Sequence, residues 1–307
     1  MVRVLTNDGL QKGAINKLTS LGFEVVNNHY DKYELGTTLK EFDILVIRSA
    51  TRVTADILDQ AQGGKLKLII RAGVGIDNID VPYATQKGIF VKNTPNASSE
   101  SVAELAIGHM FALARFIAIS NCTMRDGQWN KKKYEGIELG GKTLGIVGMG
   151  RIGKALAKKA EVLGMKVIYN DIFGKQDELI YEFLELNELL RNSDFISLHV
   201  PYDKEKGYLI GKDQFNIMKD GVYLINCARG KVVEETALLE ALDNGKIAGA
   251  GIDVFEEEPT KNKALVNHPK VSVTPHIGAA TKEAQERIGE EVVATIVNFV
   301  ADNLVAM

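Results

Sequence analysis

The feature that most constrains this chain is Gly148-Met149-Gly150-Arg151-Ile152-Gly153, set between a buried-type strand, Leu144–Val147, and a helical segment. Alone, a GxGxxG run often serves only close packing. Here Ile152, Leu156, Ala160 and Leu163 share one face of the segment that follows, and a second strand ends at Asp171. Strand, glycine turn, helix, strand and acid in that order form the dinucleotide-binding arrangement. Gly148 allows the tight turn, Gly150 lets the backbone approach a pyrophosphate, and Gly153 lets helix and sheet pack closely. The N–H groups of Arg151 and Ile152 face the anion at the positive end of the helix. Asp171 can accept both ribose hydroxyls and would repel a 2′-phosphate, so NAD is expected rather than NADP. A Rossmann-like domain without ligand is the plain alternative, and a SAM-binding fold fits the spacing through Gly153 poorly.

The rest of the chain repeats the same design. Val2–Leu5, Ile44–Ile47 and Leu68–Ile70 are short apolar runs, with helical segments at Asp56–Gln62 and Val81–Lys87. Later come Leu144–Val147, Lys166–Tyr169, Phe195–Leu198, Val222–Ile225, Ala248–Ile252 and Val271–Val273 as strands. Helices are expected near Arg151–Leu163, Glu185–Arg191 and Glu234–Asp243, the last stopped by Gly245. Two longer helices are predicted. One opens on a capping box, Ser101 with Glu104, and runs to about Arg125. The other covers about Lys282–Val300, with Ile288, Val292, Ile296 and Val300 on one face. Pro95, in Thr94-Pro95-Asn96, marks a hinge. The expectation is α/β: two doubly wound parallel-sheet domains, a Rossmann nucleotide domain (97–281) inserted in a flavodoxin-like domain (1–96 and 282–307).

Composition removes other classes. The 307 residues carry a formal net charge of -3, with 45% hydrophobic and 25% charged residues. Nothing there argues for a nucleic-acid or membrane partner. The two cysteines, Cys122 and Cys227, make neither a disulfide framework nor a metal site, so no metal is expected and a reducing compartment is. The start, MVRVLTNDG, enters a strand pattern with no signal-peptide layout. Glu104, His109 and Arg115 interrupt the apolar stretch Val102–Ile119, which reads as a buried helix rather than a membrane span. A cytoplasmic location follows.

Three segments each follow a strand of the nucleotide domain: Asn226–Gly230, Asp253–Pro259 and Thr274–Gly278. In an open parallel sheet that places Arg229, an acid and His276 at the ligand-binding edge. The set suits hydride transfer at a carbon bearing a hydroxyl or ketone. Arg229 can bind a substrate carboxylate with two prongs. His276 can exchange the hydroxyl proton, and Glu258 can orient that imidazole and favour its charged form. His199-Val200-Pro201 either lines the cofactor pocket or ends its strand, and Cys227 reads as a small buried residue rather than a nucleophile. His29, His109 and His268 read as structural or solvent-exposed.

With these segments in order, the whole chain resembles the D-2-hydroxyacid dehydrogenase family. The resemblance implies that Arg229, Glu258 and His276 are catalytic and that Asp253 contacts the nicotinamide carboxamide. It also implies that 199–201, Cys227, Ala228 and Gly278 line the cofactor. Within the family the chain is similar to the branch that oxidises 3-phospho-D-glycerate, through Arg48–Thr51, Arg71–Asn78, Asn93–Asn96 and Asp126–Trp129 with Lys131–Lys133. Arg48 and Ser49 then suit a phosphate, the N–H groups of Val74 and Gly75 a carboxylate, and Asn96 adds an amide. Lys131–Lys133 is either a solvated face or a source of positive field from a neighbouring subunit. The implied partners are a phosphorylated 2-hydroxy acid and a second copy of the chain. Many members of that branch carry a C-terminal serine-binding extension, and the stop after 282–303 predicts no such feedback. Two alternatives stay open: a reductase of glyoxylate, hydroxypyruvate or another 2-keto acid, and an NAD-sensing corepressor-like protein.

Overall fold

The computed structural model describes residues 1–304. The chain divides into two compact units, residues 1–98 with the segment from Ala279, and residues 99–278. The last residues of the expected discontinuous domain, Val305, Ala306 and Met307, lie outside the described residues.

The first unit holds β1 (Arg3–Thr6), β2 (Glu24–Val26), β3 (Ile44–Ile47), β4 (Leu68–Arg71) and β5 (Phe90–Asn93). All pair in parallel, in the order β2-β1-β3-β4-β5, so the winding reverses between β1 and β3. β3 is Ile-Leu-Val-Ile with every residue buried, as a central parallel strand covered on both faces must be. Leu5, Leu45 and Ile69 pack with Leu35, Leu39, Ile57 and Leu58 on one face. Val4, Ile44 and Ile70 pack with Leu18 and with Ile288, Val292 and Ile296 on the other. Those last three come from the helix Lys282–Leu304, so the periodicity read from sequence is the face that closes this unit. Val300, expected on the same face, is half-buried, and neighbouring Phe299 meets Phe90 edge-on, ring centres 5.4 Å apart.

The second unit holds β6 (Thr143–Val147), β7 (Lys166–Asn170), β8 (Glu182–Phe183), β9 (Phe195–Leu198), β10 (Val222–Asn226), β11 (Ile247–Ile252) and β12 (Val271–Val273). Their order is β12-β11-β10-β9-β6-β7-β8, again parallel, with the reversal between β6 and β9. The helices Ser99–Ala114 and Arg151–Val162 cover one face. Leu186–Asn192, Lys212–Ile217 and Glu235–Asp243 cover the other. β2, β5 and β8 were not read from sequence. They are edge strands with no fully buried residue, so they lack the continuous apolar run that marks a central parallel strand.

Two expectations about the first long helix are corrected. It does not run unbroken to Arg125. Ser99–Ala114 and Ile117–Arg125 are separate helices bent by 62°, with Phe116 left-handed at φ 55 between them. The physical reason is a returning segment. The Ala114 carbonyl accepts from the Ile137 amide at 2.9 Å, and the Tyr134 ring lies 5.8 Å from that of Phe116. Nor is Ser101 the cap. The helix starts at Ser99, and the Ser101 hydroxyl donates to the Gly278 carbonyl at 2.6 Å. Among the described residues no single helix is long and apolar enough to cross a membrane.

Candidate active site

The glycine turn joins β6 to the helix Arg151–Val162. Gly148 sits at φ +94, where a side chain is strained, and a Cβ there would lie 2.5 Å from the His199 carbonyl oxygen. At Gly150, by contrast, a Cβ would meet nothing within 4 Å, so this face of the turn stands open to a ligand. Gly150 caps the helix with no side-chain hydrogen bond, which leaves the helix start to an anion. Arg151 is exposed and Ile152 half-buried there, and a Cβ on Gly153 would lie 2.2 Å from the Gly148 carbonyl oxygen. Asp171 is tied to the turn: its Oδ2 accepts from the Met149 amide at 2.8 Å and its Oδ1 from the Phe173 amide at 3.0 Å.

At the end of β9, His199 Nε2 lies 2.9 Å from Ser197 Oγ. Its Nδ1 is sealed from solvent without a hydrogen-bond partner, and burial pushes the ring's pKa down to about 4. A neutral ring is therefore held beside the glycine turn, with Val200 half-buried and Pro201 exposed after it. Cys227 and Ala228 are buried at the end of β10, and burial raises the Cys227 thiol far above its usual range. That thiol has no nucleophilic character. An open Gly150, an acid fixed on the turn and a buried polar nitrogen without a partner together fit a dinucleotide.

The neighbouring strands β10, β11 and β12 end on the three chemical segments. Asn226 closes the first. Its Nδ2 donates to the Arg229 carbonyl at 2.9 Å and its Oδ1 accepts from the Ala228 amide at 3.1 Å. The Arg229 Nη1 donates to the Ala228 carbonyl at 2.6 Å. At the next residue, Gly230, a Cβ would lie 1.8 Å from the Phe255 carbonyl oxygen, so glycine lets the loop after β11 pass close to Arg229. On that loop the Glu258 Oε1 accepts from the Phe255 amide at 3.1 Å. Its Oε2 lies 2.6 Å from His276 Nδ1. Burial alone would raise the Glu258 carboxyl. The His276 ring, the Phe255 amide and the Arg229 charge outweigh it and hold that carboxyl below the usual range. An ionised carboxylate only accepts, so Nδ1 of His276 carries the proton it donates and Nε2 is left to exchange protons with a substrate.

The His276 backbone is left-handed, φ +54, and Asp253 holds it there. The Asp253 carbonyl accepts from the His276 amide at 2.8 Å. Its Oδ1 accepts from the Ile277 amide at 2.8 Å and its Oδ2 from the Gly278 amide at 2.9 Å. Three successive amides thus converge on one buried acid.

In the first unit a similar clamp sets the loop after β3. The Asp8 Oδ2 accepts from the amides of Arg48, at 2.7 Å, and Thr51, at 3.1 Å. Asn78 Nδ2 donates to the carbonyls of Arg48 and Thr51. Arg48 is half-buried and Ser49 exposed on this loop. Val74 and Gly75 follow β4, with Asn93 Nδ2 donating to the Val74 carbonyl, and Asn96 is exposed beyond β5. An open cavity of about 430 Å³ lies at the ends of β1 and β2, lined by Asn7, Asp8, His29 and Ala50 among others. The described residues contain no cluster of metal ligands.

Residues 107–278 match the family model of the D-isomer specific 2-hydroxyacid dehydrogenase NAD binding domain. The chain belongs to this family. Its curated relatives include a D-3-phosphoglycerate dehydrogenase of Methanocaldococcus jannaschii, 44% identical over 100% of this chain. The chain spans 60% of that relative's length. A hydroxypyruvate reductase of Thermotoga maritima is 47% identical over 96% of this chain and 97% of its own length. Among solved structures, a D-lactate dehydrogenase from Aquifex aeolicus complexed with NAD and lactic acid superposes with a TM-score of 0.85. It shares 34% identity and covers 98% of this chain and 96% of its own.

The sequence reading did not single out the residues that support these segments. Thr274 carries no signal of its own within its segment, yet its Oγ1 donates to Asp253 Oδ1 at 2.6 Å. Asp8 was not singled out. The signal was available: Asn7-Asp8-Gly9 directly follows a central strand, as Asp253 does. Cys122 is exposed, and Lys131–Lys133 forms an exposed turn of 3-10 helix.

Proposed function

We propose that this chain oxidises 3-phospho-D-glycerate at C2 to 3-phosphohydroxypyruvate with NAD, the entry step of serine biosynthesis. The observation that carries the chemistry is the 2.6 Å contact of His276 Nδ1 with Glu258, beside the Arg229 charge. Bound NAD supplies the hydride acceptor for C2. Gly148, Gly150 and Gly153, with the amides of Arg151 and Ile152, hold its pyrophosphate, and Asp171 accepts from its ribose. His199, Val200, Pro201, Cys227, Ala228 and Gly278 wall the pocket, and Asp253 accepts from the nicotinamide amide through the remaining capacity of Oδ2.

His276 Nε2 takes the C2 hydroxyl proton as the carbonyl forms, and Glu258 stabilises the resulting imidazolium. Arg229 binds the carboxylate with two parallel hydrogen bonds and polarises the adjacent C2 oxygen. Arg48 and Ser49 bind the phosphate, while Val74, Gly75 and Asn96 add donors for the carboxylate. A reductase of hydroxypyruvate or glyoxylate is the second reading, favoured by the near full-length match to the Thermotoga maritima protein. It uses the same Arg229, Glu258 and His276.

The same reading makes the chain a cytoplasmic homodimer. The exposed apolar side chains of Ile117, Met124, Trp129 and Val162 support the dimer, and two free cysteines support the location. Light scattering on the purified chain checks the dimer. NADH absorbance tests the activity, with 3-phosphoglycerate for oxidation, and with phosphohydroxypyruvate, hydroxypyruvate, glyoxylate and pyruvate for reduction. Preference for the phosphorylated pair is expected. Preference for an unphosphorylated acid moves the assignment to the reductase, and NADH binding without turnover moves it to an NAD sensor.

A further inference from the structure

His109 was read from sequence as structural or exposed, and it lies buried on the helix Ser99–Ala114. A β-carbon added to Gly251 of β11 would lie 2.6 Å from the Cβ of His109 and 2.9 Å from its Cγ. The strand therefore has no side chain where the imidazole rests. His109 Nδ1 lies 2.9 Å from Ser272 Oγ, and Nε2 lies 3.1 Å from Thr274 Oγ1. Thr274 Oγ1 in turn lies 2.6 Å from Asp253 Oδ1, and both Asp253 oxygens already accept backbone amides.

Proton counting orders this chain. Asp253 only accepts, so Thr274 gives it its single hydroxyl proton. The Thr274 oxygen is then an acceptor toward His109, and His109 Nε2 must be the donor. Nδ1 is left bare and accepts from the Ser272 hydroxyl. A neutral ring with its proton on Nε2 satisfies every contact. A charged ring would require Ser272 to turn its proton away from Nδ1. Burial agrees, since it holds the His109 pKa below the ordinary imidazole value despite the nearby Asp253 charge.

We propose that His109 is a positioning residue for the reaction: through Thr274 it fixes the Asp253 carboxylate, and so the 276–278 turn that presents His276 Nε2. This deepens the proposed activity and rests on His276 being the acid/base. The link is continuous. His109 sets the Thr274 proton, Thr274 sets Asp253, and Asp253 takes the amides of His276, Ile277 and Gly278.

Nitrogen NMR of histidine-labelled protein reads the tautomer without any turnover. His109 should show the Nε2–H form at pH 7.5, and an Nδ1–H or charged ring would overturn the proposal. Turnover is then measured on whichever acid of the panel the wild type prefers, with NADH affinity by fluorescence. His109→Leu and Thr274→Val should each lower kcat about tenfold, the worth of one ordered hydrogen bond, with KM and melting temperature little changed. The double variant should be no slower than either single one, because both cut the same chain. His109→Gln, whose amide nitrogen reaches the Nε2 position, should restore kcat. If Thr274→Val and His109→Leu lower only the melting temperature, His109 is structural and the proposal fails. A wild type inactive on 3-phosphoglycerate overturns the substrate reading alone, since the tautomer, NADH affinity and turnover on another acid remain measurable.

Discussion

The two sheets use one device at their carboxyl edges and set it in different surroundings. In the first unit Asp8, after β1, gathers the amides of Arg48 and Thr51 and the Thr51 hydroxyl from the loop after β3. In the second unit Asp253, after β11, gathers the amides of Ile277 and Gly278 and the Thr274 hydroxyl from the loop after β12. Each is a buried acid at a strand end that pins the loop of the neighbouring strand, with a threonine hydroxyl as an extra donor. The surroundings differ. Asp8 borders an open cavity, and the nearby His29 side chain is 65% exposed. Asp253 is 1% exposed and backed by His109 from inside the protein. A sealed clamp suits proton transfer, where small errors in geometry cost rate. An open clamp suits recognition of a charged group by side chains that stay hydrated until they bind.

The largest effect should come from the group the sealed clamp presents. His276→Gln removes the nitrogen proposed to exchange the substrate proton and should lower kcat roughly 10²–10⁴-fold, the usual range for general acid–base catalysis. Absorbance kinetics checks the rate, and NADH fluorescence should show affinity within a few fold of wild type. A variant retaining most of its kcat would remove His276 from the chemistry and leave the Asp253 clamp without a task.

The clamps themselves should separate next. In Asp253→Asn or Asp8→Asn one acceptor oxygen becomes a donor facing an N–H or O–H. Such a buried mismatch costs about 1–3 kcal/mol, or roughly 10–100-fold where it falls on a functional step. For Asp253→Asn the loss should appear in kcat, because the His276 turn is released. For Asp8→Asn it should appear in substrate KM with kcat nearly kept, because the loop bearing Arg48 is released. If both variants lose kcat alike, the division of labour between the sheets is wrong. Arg48→Ala sharpens the same point at about tenfold: it should raise KM for the phosphorylated acid and leave the unphosphorylated one unchanged.

This doubling of the clamp was only half legible in the sequence. Strands β3, β6, β9 and β10 are largely apolar and almost wholly buried because parallel strands covered on both faces must be, so they were readable. So were the groups proposed for the chemistry: a guanidinium, a carboxylate and an imidazole each after a strand are rare enough to stand out. The supports were not. A hydroxyl such as Thr274 and an imidazole such as His109 acquire meaning only when strands far apart in sequence are brought together. The break at Phe116 was hidden for the same reason, since its cause is the pairing of Ala114 with Ile137.

The smallest effect is in stability and also falls on one side of the comparison. The second unit carries two histidines whose proton affinity burial lowers: His199, to about 4, and His109. The first unit's only histidine is His29, with its exposed side chain. In the unfolded chain each imidazole titrates near 6.5. Between about pH 4 and 6.5 the unfolded state therefore binds more protons than the folded one at His199, and stability rises with pH in that window. The contribution is fully present above 6.5 and is lost as pH falls toward 4. At pH 5.0 the shift at His199 is worth about 1 kcal/mol after allowance for the partial exposure of the residue. Hydrogen exchange at pH 7.5 and 5.0 should show protection falling in residues 99–278 more than in the first unit. His199→Asn should flatten that dependence, and His199→Asn with His109→Gln should flatten it further. Equal loss of protection in both units would mean that the acid sensitivity lies in groups other than His199 and His109.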